Sequence, residues 1–74
     1  MPVIIEIDAP HLLPHLVSRL QAADCWAAPI SSSACRVVHR QAETVDEALR
    51  ELRFFASAWA GSHGNVSVNL RPVA

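Results

Sequence analysis

The residues able to do chemistry in this 74-residue chain are four histidines and two cysteines: His11, His15, His39, His63, Cys25 and Cys35. Their spacing does not build a metal site, because there is no Cys-x2-Cys pair and no His-Glu-x-x-His. His11 and His15 are four apart, but Pro14 starts a helix between them. Cys35 and His39 fall on one strand face, and four residues at ~3.3 Å each hold their Cα atoms ~13 Å apart. That distance excludes a shared metal and a nucleophile–base pair. A hairpin turning at 32–33 sets Cys25 near Arg40 rather than Cys35. The pattern predicts scattered surface histidines, buried thiols, no metal, no cofactor and no catalytic residue. Neither cysteine has a helix start beside it to lower its pKa. Gly61 and Gly64 follow a helix instead of preceding one, so no phosphate loop is present.

The elements that must position these groups follow from periodicity. Residues 3–8 form a strand with Val3, Ile5 and Ile7 on one face and Ile4, Glu6 and Asp8 on the other. Pro14 places a helix start near 13–14, and Leu13, Leu16, Val17 and Leu20 make its buried stripe, ending near Ala23. Residues 25–31 contain Pro29, which fits only an edge strand. Ser31–Ser33 then turn, and residues 34–40 form a third strand. Thr44-Val45-Asp46-Glu47 is a capping box opening a second helix. Its stripe holds Leu52, Phe55 and Trp59, core side chains at helical spacing, with Gly61 as the residue just past its end. Gly64-Asn65 is a turn, and residues 66–71 alternate as a last strand closed by Pro72.

This order, β-α-β-β-α-β, predicts a single α+β domain of ferredoxin-like form: a four-stranded antiparallel sheet in order 4-1-3-2 with two helices on one face. The alternative makes 25–33 a loop and leaves three strands. The uncovered face carries Ile4, Glu6, Arg36, Val38 and Arg71, with Trp26 or Ile30 beside them. Two readings of it stand level, a solvated face and a dimer face centred on Ile4 and Val38. Phe54, next to the second helix stripe, marks another partner surface. A chain this short buries only ~60% of the surface its unfolded form exposes, which favours a homodimer. An apolar share of 51% excludes disorder, and a net charge of −1 argues against a nucleic-acid or membrane partner. The central strands also lack the stacking aromatics of an RNA-binding sheet. Met1-Pro2-Val3-Ile4 lacks the basic start of a secretory signal, so a cytoplasmic chain with reduced thiols is expected.

Two resemblances sharpen these expectations. Asp8, Pro10, Leu13 and Leu16 match the Asp-x-Pro-Gly-x-Leu entry of ACT domains, which share the element order; His11 stands where that pattern has glycine. The resemblance implies a dimeric regulatory module with a small effector, often an amino acid, near Asp8, Pro10, His11 and Leu12, or regulation of a partner protein. The opening Met-Pro-Val-Ile is similar to that of tautomerases. It implies, as an alternative, an enzyme with Pro2 as base and Arg36, Arg40 or Arg71 holding an acid substrate. The rest of the chain lacks that family's layout. A third alternative is a purely structural interaction domain.

Overall fold

The computed structural model describes residues 2–73. It contains strand β1 (Pro2–Ile7), a short 3-10 turn (Pro10–Leu12), helix α1 (Leu13–Ala22), strands β2 (Cys25–Pro29) and β3 (Ala34–His39), helix α2 (Val45–Gly61) and strand β4 (Val68–Pro72). The strands form one antiparallel sheet in the order β2-β3-β1-β4. This is the ferredoxin-like βαββαβ arrangement read from the sequence. Pro29 lies on the edge strand, where its missing N–H leaves no ladder bond unmade.

Local chemistry fixes each element. Pro14 sits in the first turn of α1, where its lack of an N–H is harmless. The Thr44 hydroxyl accepts the Glu47 N–H at 3.1 Å, half of the expected capping box. Asp46 and Glu47 add negative charge to the positive end of α2. Asp24 takes a left-handed φ of 63° between α1 and β2, a conformation tolerated best by Gly, Asn and Asp. Its carboxylate accepts from Gln41 Nε2 at 3.2 Å.

Val3, Ile5 and Ile7 of β1 and Cys35 and Val37 of β3 are buried against Leu13, Leu16 and Leu20 of α1 and Leu52 and Trp59 of α2. Each fully buried aliphatic side chain is worth roughly 1.5–3 kcal/mol. Helix α1 packs mainly on β2, and α2 mainly on β4 and β1, so the helices cover opposite halves of the sheet. No helix among the described residues is long and apolar enough to cross a membrane.

Two details differ from the sequence expectation. Helix α2 runs through Gly61 and closes on Ser62 (φ −87°), and the left-handed Gly64 (φ 78°) and Asn65 (φ 60°) form the expected turn after it. The Asn65 N–H reaches back to the Ala60 carbonyl at 2.9 Å, so the chain leaves the helix later than the first glycine suggests. In the hairpin, Pro29 pairs with Cys35, which places Cys25 opposite His39, while Arg40, the next residue, stays near enough to act on the thiol as expected. The Ile30 N–H bonds to the Ala34 carbonyl at 2.9 Å and sets that register.

Candidate functional site

A groove of about 660 Å³ is lined by residues of both helices. His15 and Arg19 stand on the α1 wall, one helical turn apart. Leu52, Phe55 and Trp59 stand on the α2 wall. Cys25 and His39 lie at the β2–β3 end, and His63 follows α2 at the other.

Trp59 organises that last end. Its indole Nε1–H donates to His15 Nδ1 at 3.1 Å. Its carbonyl, in the last turn of α2, accepts from Ser62 Oγ at 2.9 Å and lies 2.8 Å from His63 Nδ1. An indole N–H can only donate, so in the neutral ring His15 Nδ1 is bare and Nε2 carries the proton. A carbonyl can only accept, so His63 Nδ1 carries the proton and its Nε2 keeps the lone pair. The rings nest at 4.7 Å between His15 and His63 and 4.7 Å between Trp59 and His63. One tryptophan thus sets two histidines in opposite tautomers, one with a free donor and one with a free acceptor.

This arrangement resists a metal. Coordination by His15 Nε2 would move the ring proton to Nδ1, against the Trp59 N–H. Among the described residues, no three of His, Cys, Asp or Glu gather closely enough to hold an ion. The structure corrects the expectation of scattered histidines: His15, His39 and His63 all line one groove, and only His11 stands apart from it.

The thiols are poor nucleophiles. Burial pushes the Cys35 thiol up to about 11 from an ordinary 9.0. Burial also raises Cys25, with Asp24 adding to the shift and Arg40 partly offsetting it. Cys25 faces His39 across the sheet, a pairing the sequence did not reveal. Yet the Cys25 thiol points to the Ala23 carbonyl at 3.8 Å, and His39 Nδ1 accepts from the Gln41 N–H at 3.3 Å. Neither arrangement activates the sulfur.

The ACT-like loop lies elsewhere. Asp8 Oδ1 accepts the Ser67 N–H at 3.0 Å, and the Asp8 N–H donates to the Ser67 carbonyl at 3.2 Å. This doubled contact latches the start of β4 to the end of β1. Asp8 also borders a shallow groove of about 310 Å³ beside Glu6 and Asn69. Pro10 and His11 are exposed, Leu12 is half-buried against the core, and none of the three lines the interhelical groove.

The expected interface residues separate into two groups. Ile4, Trp26, Arg36 and Val38 share the open sheet face: Trp26 pairs with Val38, Val38 with Pro2, and Ile4 with both Arg36 and Arg71. Trp26 is 47% exposed there. The only ion pair among the described residues, Glu6–Arg71 at 3.4 Å, crosses the same face. Phe54, 79% exposed, lies across the molecule on the rim of the helical groove. Pro2 is half-buried at the start of a central strand, and its carbonyl accepts the Val73 N–H at 3.2 Å; Met1 lies outside the described residues.

The groove escaped sequence reasoning because Trp59 fits the core stripe of α2, and nothing local ties it to His15, 44 residues away. No family model, curated protein or solved structure matches this chain, and its function rests on its own geometry.

Proposed function

We propose that this chain is a small binding and regulatory module that works as a homodimer through its open sheet face. The observation that carries the reading is the half-exposed Trp26 beside Val38, Pro2 and Ile4, on a sheet face that no helix covers. The occupant is a second copy, because the face complements itself. A two-fold axis along the strands lays β3 of one copy over β1 of the next. Val38 then meets the partner's Pro2, and Arg36 meets the partner's Ile4, with the partner's Glu6 two residues further along. Val38 and Pro2 form the apolar contact, and Arg36 near the partner's Glu6 sets the register. For a small domain, such an interface adds burial that the monomer lacks.

The regulatory part of the reading comes from the ACT-like layout. An effector beside Asp8 would compete with the Ser67 latch, which favours the interhelical groove as the place for a ligand.

Sedimentation tests the dimer. The wild-type chain is expected to sediment as a dimer at micromolar concentration. Val38→Glu, a half-buried position on the open face, is expected to sediment as a folded monomer with unchanged circular dichroism. A monomeric wild type, or a Val38→Glu dimer, removes the proposal.

A further inference from the structure

We propose that the interhelical groove binds a small monocarboxylate with an apolar or aromatic body. It rests on the reading of the chain as a binding module and names the ligand class; the site lies on the opposite face of the sheet from the proposed interface, so ligand binding and dimerisation fail separately.

The volume, about 660 Å³, is within the ~300–1,000 Å³ typical of small-molecule pockets. The chemistry of the walls selects the ligand. Arg19 lines the groove with no ion-pair partner among the described residues. His15 stands one turn away on the same helix, and its Nε2–H is left free because Nδ1 receives the Trp59 indole. Two donors at i and i+4 lie ~6 Å apart at their Cβ atoms, a spacing that the flexible Arg19 side chain closes onto one carboxylate beside the held imidazole. The facing wall offers Phe55 and Ala58, with the buried Leu52 and Trp59 behind them, an apolar surface for the rest of the molecule. Phe54 on the rim extends it.

Glu51 also lines the groove, from α2. A second negative charge on the ligand would meet it, which limits the ligand to one. The lone pair of His63 Nε2 can accept from a hydroxyl on the ligand body. His39 and Cys25, at the far end, are held by contacts of their own and give the carboxylate no donor.

Titration of the full chain with benzoate and hexanoate, followed by NMR, tests this. The indole N–H of Trp59 and the ring protons of His15 are expected to shift saturably, while the indole N–H of Trp26 stays still. The expected Kd is on the order of 0.1–5 mM for such small probes. Benzamide, the neutral isostere, is expected to bind at least about tenfold more weakly, and Arg19→Gln to weaken benzoate by a similar factor. Arg19 is exposed, so this variant keeps the fold. The proposal fails if neither acid moves the Trp59 signal up to about 20 mM, well above that Kd range. It fails equally if benzamide matches benzoate or if Arg19→Gln binds as wild type does.

Discussion

The two faces of the sheet hold one tryptophan each, in opposite circumstances. Trp59 is 5% exposed, its indole N–H has a partner, and its backbone carbonyl is bound twice by side chains. Trp26 is 47% exposed, and its indole has no hydrogen-bond partner among the described residues. The same side chain therefore organises a site on one face and waits for a surface on the other. The difference comes from the helices. They cover β2 at one side and β4 at the other, leaving a partly filled groove above the sheet and nothing below it.

The largest expected effect is a test of that contrast. Trp59→Ala should destabilise the monomer by roughly 3–5 kcal/mol in urea unfolding, because it removes a buried aromatic. Trp26→Ala should change monomer stability by less than about 1 kcal/mol and act instead on dimer dissociation. Equal losses in a Val38→Glu monomer background would dissolve the comparison.

Alkaline stability comes next. Cys35 lies on the covered face, with a pKa raised to about 11 in the folded chain and near 9.0 in the unfolded one. Above pH 9 the unfolded state releases this proton first, so it binds fewer protons than the native state and stability falls with rising pH. The loss should run from about pH 9 to about pH 11 and reach roughly 2–3 kcal/mol. Below pH 9 this thiol contributes no slope. Cys35→Ala should lower stability overall yet flatten the alkaline limb, a pattern that denaturant melts across pH would reveal.

Asp8→Ala should cost about 1 kcal/mol, read as a lower Tm, by removing the carboxylate that receives the Ser67 N–H. If the same substitution abolished stabilisation by an added amino acid, the loop would regain its claim as a ligand site over the groove. The smallest effect belongs to the open face. Glu6→Gln breaks the half-exposed pair with Arg71 and should alter monomer stability by about 0–1 kcal/mol, decreasing further in salt. A measurable weakening of the dimer by that change would place Glu6 in the interface register.

The fold was legible because each element announces itself within a few residues. Thr44 caps α2, Pro14 opens α1, Pro29 assigns an edge, and the alternation of Val3, Ile5 and Ile7 sets the buried face of β1. The residues of the open face were legible for the same reason, since a period of two decides both faces at once. The end of α2 was not, because Gly61 adopts helical geometry and the left-handed turn waits for Gly64. The cross-strand partner of Cys25 also escaped, because a one-residue difference in the hairpin puts His39 opposite it, with Arg40 next along.

The sequence by itself determined the order of elements, their buried stripes and the edge position of β2. These depend on local sterics and periodicity, which act over a few residues. Only the tertiary structure decided that α1 and α2 share one groove, that His15 meets Trp59 across 44 residues, and that Arg19 lines that groove without an ion-pair partner among the described residues. Those are matters of angle and distance between helices, set by how whole side chains pack on the sheet. No short pattern of residues encodes them.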